Sequence, residues 1–194
     1  MTLPTVGSRV PRRGYGPLAF VGRCWLRCSG WRIRGNLPDI ERVVVVVAPH
    51  SSNWDFVHAV AAVFALRLRV GFIGKHTLFT GWLGNFMRWM GGVPVDRAHP
   101  EGFAQAAAQT IRSAPAMWLG IAPEGTRTAG AAFKSGFHRI ATAAVVPMIP
   151  VSINHRTRVI EIHPPRMPGP DADADVEAIR SLLLGRGCRR DATA

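Results

Sequence analysis

The sequence predicts a single-domain α/β fold, a three-layer sandwich with a largely parallel central sheet. From residue 43 onward, short apolar strand segments alternate with helical segments, the pattern of strands joined by crossover helices. The run of five valines at Val43–Val47 indicates a strand that is buried on both faces, as parallel strands usually are. The length of 194 residues and the apolar fraction of 47% fit one domain with a sizeable core.

Each element follows from its local composition. Pro49 ends the valine strand, and an apolar helical segment that includes Phe56 and Val60 comes next. The segment 101–112 is alanine-rich, as helices favour, and a proline-rich turn at 164–170 precedes the last helix. Strands are predicted at 43–48, 70–73, 93–95, 117–122, 148–153 and 158–163, and helices at 54–67, 82–90, 101–112, 136–144 and 176–184.

The N-terminal segment is expected to lie outside the sandwich. Residues 1–16 contain Gly, Pro and Arg, which predicts a disordered basic tail. Residues 17–40 begin with a helical stretch in which Leu18, Val21 and Trp25 share one side and arginines lie opposite. An apolar stripe with tryptophan and arginine is typical of a membrane-interface helix. The alternative is a helix that packs on the domain and exposes a solvated basic face.

The charge balance indicates an anionic partner. The formal net charge is +12 with a pI near 11.5, and only Lys75 and Lys134 among the 24 basic residues are lysines. This charge predicts attraction to nucleic acid, anionic lipid or phosphorylated substrates. Basic residues are not interleaved with aromatic ones as on a base-stacking surface, so we expect no nucleic-acid partner.

The cysteines, the histidine spacing and the apolar runs argue against a disulfide-rich, a metal-binding and a membrane-spanning protein. Three cysteines give no disulfide framework, which fits a reduced, cytosolic setting. No pair of histidines has metal-ligand spacing, so no metal site is expected. No uncharged apolar run approaches the roughly 18 residues that span a bilayer. A protein of this kind that meets a membrane would lie on its surface.

A histidine and an aspartate frame the loop after the valine strand. His50 follows Pro49 at the strand tip, where a rigid sheet can aim a side chain into a cleft, and Asp55 opens the next helix. An imidazole beside a carboxylate is oriented by it and stabilised in its protonated form. However, Ser52 and Asp55 also match a capping box, which would make His50 an ordinary polar loop residue. Both interpretations stand on this segment alone.

Three other predicted strands also end in charged residues. One is followed by Pro123-Glu124-Gly125-Thr126-Arg127, in which glycine lets the backbone approach a ligand and arginine offers a planar fork for phosphate. Lys75 and Arg97 follow two others, although both could be solvated surface charges. Because parallel strands end at one edge of a sheet, we expect His50 and Asp55 to share a cleft with these groups.

The order of these blocks resembles a known family. His50-Ser-Ser-Asn-Trp-Asp55 is an H-x4-D block, and P-E-G-T-R follows downstream at residues 123–127. Together they resemble the glycerolipid acyltransferases, typified by 1-acyl-glycerol-3-phosphate acyltransferase. Gly74-Lys75 with Gly91–Arg97 resembles the second block of that family, and Phe133–Gly136 and Val146–Val151 resemble its last blocks. The similarity covers roughly residues 43–153 in the expected order.

The resemblance implies a glycerol-phosphate acyltransferase-like domain at residues 41–194. It would move a fatty acyl group from acyl-CoA or acyl carrier protein to a hydroxyl of a lysophospholipid, by default lysophosphatidate to phosphatidate. His50 would be the general base, and Asp55 would hold its imidazole in the right tautomer. No cofactor beyond the thioester co-substrate is implied. The residues implied to bind the acceptor and its phosphate are Glu124, Gly125, Thr126, Arg127, Lys75 and Arg97.

The implied cellular role is phospholipid biosynthesis. The protein would be cytoplasmic and peripheral at the inner face of the cell membrane, with an anionic membrane surface, a lysophospholipid and acyl-CoA or acyl carrier protein as partners. The helix at 80–90 is apolar on nearly all sides, so it would form core, an acyl tunnel or a membrane-facing surface. Three alternatives remain: another amphiphilic alcohol as acceptor, a hydrolase that uses water, and a lipid-binding module without chemistry.

Overall fold

Helices and strands alternate along the part of the chain that the computed structural model describes, which is residues 3–14, 16–49, 52–75, 79–95, 100–125 and 131–185. In chain order they are α1 (Gly16–Cys28), β1 (Arg32–Gly35), β2 (Arg42–Ala48), α2 (Asn53–Ala65), β3 (Val70–Lys75), α3 (Gly81–Trp89), β4 (Gly92–Val95), α4 (Pro100–Ser113), β5 (Met117–Ile121), α5 (Gly136–Ala144), β6 (Met148–Asn154), β7 (Val159–Ile162) and α6 (Ala172–Leu184). From β2 onward these elements match the predicted strands and helices to within a few residues.

The strands form one seven-stranded sheet in the order β1-β7-β6-β2-β5-β3-β4. β6, β2, β5, β3 and β4 run parallel to one another. β7 is antiparallel to β6, and β1 runs parallel to β7. The carboxyl ends of the five parallel strands therefore lie at one edge, which we call the carboxyl edge. The single α/β domain with a largely parallel sheet is confirmed.

The valine strand lies at the centre of two apolar cores. Val44 and Val46 pack in a cluster with residues of α4, α5 and α6, whereas Val43 and Val45 pack in a second cluster with residues of α1 and α2. Successive side chains of a strand point to opposite faces, so an unbroken valine run fills both cores at once. The sheet between these two helix layers is the middle layer of the expected sandwich.

The prediction of a disordered tail at residues 1–16 is wrong for the residues described there. Val10 is buried and belongs to the same apolar cluster as Leu26 of α1. The backbone N–H of Arg13 donates to the carbonyl of Arg67 at 2.8 Å. One buried valine and a backbone hydrogen bond therefore hold the segment 3–14 against the domain, and its basic composition obscured this.

The expected interface helix at 17–40 is also shorter than predicted. α1 ends at Cys28, and Arg32–Gly35 form the edge strand β1, paired in parallel with β7. Ile33 is buried between exposed Arg32 and Arg34, which is the alternation of an edge strand. The arginine-rich composition of this segment favoured the membrane interpretation and obscured that period of two.

α1 packs closely on α2 and still exposes apolar side chains. Ala19, Gly22 and Leu26 are its buried residues. A Cβ at Gly22 would lie 2.5 Å from the backbone oxygen of Ala61, so only glycine allows this approach. On the outer side Val21 is 58% exposed. The helix thus packs on the domain, as in the alternative above, but its outer face is not purely basic.

Candidate functional site

The sheet order brings the charged strand ends together. β2 pairs with β5, with Val46 opposite Ile121, and β3 and β4 follow in the sheet on the far side of β5. The chain that enters the H-x4-D block therefore leaves the sheet beside the chain that enters the P-E-G-T-R block. β6 ends at the same edge on the other side of β2. The carboxyl edge is where ligands bind in such sheets.

Several predicted site residues lie outside the described part of the chain. They are His50, Arg97, Thr126 and Arg127. Lys75 is the last residue of β3, and only its backbone position is described. The roles assigned to these five residues therefore stay predictions. Asp55, Glu124 and Gly125 lie within the described residues.

Asp55 is fully buried at the start of α2 and uses its two oxygens differently. Oδ2 accepts a 2.7 Å hydrogen bond from the backbone N–H of Ser52, which completes the capping box expected from the sequence. Oδ1 accepts from Nε2 of His155. The capping box is therefore present, and the imidazole on the other oxygen is that of His155; the contact expected with His50 lies outside the described residues and stays a prediction.

His155 is a site residue that the sequence analysis missed. It follows β6 directly, so it lies at the carboxyl edge, and its side chain is 24% exposed. Its ring meets the ring of Trp31 edge-on, with 5.1 Å between centroids. The rule applied to the other strand ends, a polar residue just after a buried strand, would have identified it.

His58 lies one helical turn after Asp55 and forms an aromatic stack. Its ring stacks on Trp31 at 4.2 Å, and Trp25 donates its indole N–H to Nδ1 of His58 at 3.2 Å. Burial lowers the pKa of His58 from its ordinary 6.5, nearby His155 lowers it further, and Asp55 partly offsets both. Because Nδ1 accepts the indole hydrogen bond, the proton of the neutral ring lies on Nε2.

The loop after β5 places a lysine beside a glycine turn. Glu124 is buried, and Gly125 adopts a φ of +62°, a conformation that favours glycine. A Cβ at Gly125 would lie 3.6 Å from Nζ of Lys134, whose backbone N–H donates to the carbonyl of Pro123 at 2.9 Å. Lys134 therefore brings a positive charge to the P-E-G-T-R loop. It was noted in the sequence as part of a later block, without a role at this site.

An apolar cavity of about 940 Å³ opens beside this loop. It extends from Gly125 and Lys134 to the space between α2 and β3, where Val60 and Phe72 line it. Its volume is in the range of pockets that bury small ligands. Of the apolar helix expected at 80–90, only Met90 is among the described lining residues, and Trp82 of α3 is 82% exposed.

The described residues match neither the pattern of a metal site nor that of a membrane-spanning helix. No group of three or more histidine, cysteine, aspartate or glutamate side chains is arranged there to hold a metal ion. None of the helices described is both long enough and apolar enough to cross a membrane.

Comparisons with known proteins agree with this architecture. A family model described as Acyltransferase matches residues 31–154, which include the carboxyl-edge loops. The chain is similar to the crystal structure of the 1-acyl-sn-glycerophosphate (LPA) acyltransferase, PlsC, from Thermotoga maritima, with a TM-score of 0.66 and 19% identity. That match covers 86% of this chain and 75% of the other, and at this identity it supports the fold alone. No curated protein sequence matches the chain.

Proposed function

Because the chain belongs to the Acyltransferase family, we propose that it moves a fatty acyl group from a thioester to a hydroxyl of a lysophospholipid, by default lysophosphatidate. The donor would be acyl-CoA or acyl carrier protein. One observation carries the proposal: β2 and β5 are parallel neighbours, so the H-x4-D and P-E-G-T-R loops leave the sheet side by side. A base and an anion-binding loop at the same edge are what this reaction requires.

The proposed chemistry begins with the acceptor hydroxyl. His50 takes its proton as the oxygen attacks the thioester carbonyl, and the new C–O bond forms as the C–S bond breaks. The departing thiolate then takes a proton, from the imidazolium of His50 or from solvent. Asp55 holds the imidazole of His50 in the required tautomer, a role that suits a buried carboxylate at the start of α2.

The acceptor phosphate would meet a set of cations at the same edge. Arg127 would supply the bidentate contact, with Lys75 and Arg97 completing the phosphate site. The ammonium group of Lys134 near Gly125 supports this assignment, since it adds a positive charge beside the loop. Glu124, Gly125 and Thr126 would contact the glycerol part. The apolar cavity between α2 and β3 would take the acyl chain, which needs a surface without charge.

We place this reaction at a membrane surface, at the inner face of the cell membrane and in phospholipid biosynthesis. The support is an exposed apolar surface of Val21, Trp25 and Trp54, which we call the aromatic patch. Val21 and Trp25 lie one turn apart on α1, and Trp54 stacks on Trp25 with 6.2 Å between ring centroids. With exposed Arg27 nearby in the chain, such a surface suits the interface of an anionic bilayer.

Incubation of the purified protein with an acyl thioester and a panel of lysophospholipids tests the proposal. Mass spectrometry should detect the diacylated product, and His50→Ala should lower its rate by about 10²–10⁴-fold, because a general base is lost. The far-ultraviolet circular dichroism of the variant should not change. Ser51→Ala is the matched control: the neighbouring hydroxyl has no role in direct attack, so its rate should equal that of the wild type.

Other results of this assay would contradict the proposal. Free fatty acid without any acylated acceptor would identify a hydrolase. Acylation of another amphiphilic alcohol in preference to every lysophospholipid would overturn the acceptor class and leave acyl transfer intact. No loss of thioester with any acceptor would favour a lipid-binding module without chemistry.

A further inference from the structure

Asp55 meets a second histidine that belongs to neither sequence block. His155 contacts Oδ1 of Asp55 through Nε2, and it lies one residue beyond the stretch that the family model matches. An ionised carboxylate can only accept hydrogen bonds, so Nε2 carries the proton and donates it. The mechanism proposed above assigns this imidazole no part.

The burial of Asp55 makes such a donor necessary. The carboxylate of Asp55 has no exposed surface, so hydrogen-bond donors of the protein must take the place of the water that its oxygens lose. The N–H of Ser52 satisfies Oδ2, and His155 satisfies Oδ1. Since a carboxylate has roughly four lone-pair sites, these two bonds are compatible with the proposed contact between Asp55 and the imidazole of His50.

The surroundings of His155 fix its ring in this place. Trp31, which is buried, meets the ring edge-on, and the ring of His58 lies 6.0 Å away between centroids. Within the described part of the chain, the titratable groups that face His155 are Asp55 and His58, both on α2. Nδ1 of His58 accepts the indole N–H of Trp25, whereas Nε2 of His155 contacts Asp55.

We propose that His155 is a positioning residue, which donates a hydrogen bond to Asp55 and thereby holds that carboxylate in place to orient the imidazole of His50. The proposal rests on the function proposed above. It adds to the His50–Asp55 pair a residue that directly follows β6, the strand that borders β2 on the side away from β5. His155 acts through Asp55 and does not itself contact the reacting atoms.

The first test compares two substitutions at position 155 by steady-state kinetics of the full chain. His155→Leu removes the donor and should lower kcat about 10- to 100-fold, the size of a hydrogen bond to a charged group, while the KM of the acceptor changes little. His155→Gln should restore most of kcat, because its amide nitrogen can donate from nearly the same position as Nε2. Unchanged kcat in His155→Leu, or no recovery in His155→Gln, overturns the proposal.

A second His–aspartate contact in the chain provides a matched control. His138 of α5 contacts Oδ2 of Asp175 through Nε2 at 3.1 Å, and both residues lie on the helix layer opposite α2. His138→Leu removes a buried contact of the same kind. It should lower the free energy of unfolding but leave the kcat of the folded protein unchanged. Equal losses of kcat in His138→Leu and His155→Leu would indicate general loosening and would contradict a positioning role.

A measurement without substrate separates this proposal from the proposed function. In protein labelled with 15N-histidine, the Nε2 resonance of His155 is identified by its absence from His155→Gln. Nε2 of His155 should carry a proton, and its resonance should shift in Asp55→Asn. If it does not move, the proposal fails whatever the turnover. The resonance could also shift in Asp55→Asn while the wild-type protein transfers no acyl group to any acceptor. That result would contradict the proposed reaction and still support the hydrogen bond from His155 to Asp55.

Discussion

At the scale of single residues, Asp55 divides its two carboxylate oxygens between backbone and imidazole. The capping bond from Ser52 sets the position of the side chain, since it ties the carboxylate to the first turn of α2. The other oxygen is thereby left to face His155. A helix cap can therefore also orient a functional acid, at no cost to the local structure.

His58 predicts a pH dependence of stability. Because burial lowers its pKa in the folded state, the unfolded chain binds the proton first as the pH falls. Stability should therefore be complete above about pH 6.5, the ordinary histidine value, and should decline as the pH falls from there through the lower folded pKa. Urea unfolding at a series of pH values should show a smaller decline in His58→Phe than in the wild type.

The half-buried His163 serves as the comparison for that experiment. Its ring lies 3.2 Å from Oγ of Ser152, away from the stack around His58. His163→Phe removes one histidine without touching Trp31 or Trp25. An acid-induced decline that is the same in wild type and His58→Phe would show that burial of His58 is not its cause.

The sequence predicts a site residue when its position follows from a local pattern, but not when its position depends on which strands become neighbours. Asp55, Glu124 and Gly125 lie in recognisable blocks beside strand ends, and their placement at the carboxyl edge agrees with the expectation. His155 is 100 residues from Asp55. Their contact depends on the pairing of β2 with β6, and no local pattern specifies which strands become neighbours.

At the scale of elements, β2 and α5 were readily predicted because each has one dominant signal. A valine run fixes β2, and α5 has the bounds Gly136–Ala144 that its pattern indicates. β1 was missed because four residues give little periodicity, and arginines at two of them favoured another interpretation. Short edge strands rely on pairing with a neighbour for their stability, and this pairing is invisible in the sequence.

The packing of α1 on α2 depends on one glycine. Gly22→Ala places a methyl group against the backbone of Ala61 and Ala65, which cannot yield as a flexible side chain can. We expect a loss of about 1–3 kcal/mol in the free energy of unfolding, measured with urea, despite the better helix propensity of alanine. Gly102→Ala in α4 is the control, since its added Cβ meets nothing within 4 Å and should be neutral or stabilising. Equal stabilities of the two variants would contradict the close approach.

At the scale of the whole molecule, the proposed function has the net charge of +12 and the aromatic patch act together at an anionic bilayer, which vesicle binding can test. Co-sedimentation with vesicles rich in phosphatidylglycerol should exceed that with phosphatidylcholine alone. The difference should shrink as salt is raised from about 0.1 M to 1 M, because the screening length falls from about 10 to 3 Å.

Substitution of two exposed valines distinguishes the contribution of the aromatic patch to vesicle binding from that of the net charge. Val21→Ser should weaken binding to the anionic vesicles, because it removes apolar surface from the patch. Val145, 74% exposed at the end of α5, lies away from α1, so Val145→Ser should bind like the wild type. Equal binding by both variants and the wild type would assign the attraction to charge alone, and the patch would have no part in it.

The reversed direction of β7 and β1 has a consequence for how a lipid would arrive. Because these two strands run against the other five, the chain enters β1 at the rim where the parallel strands end, and Trp31 reaches His155 there. α1 ends only a few residues before Trp31. On the proposed function, the few residues between α1 and Trp31 would thus join the surface that touches the bilayer to the carboxyl edge. An amphiphile could then be processed with its tail still held in the leaflet, without first becoming free in water.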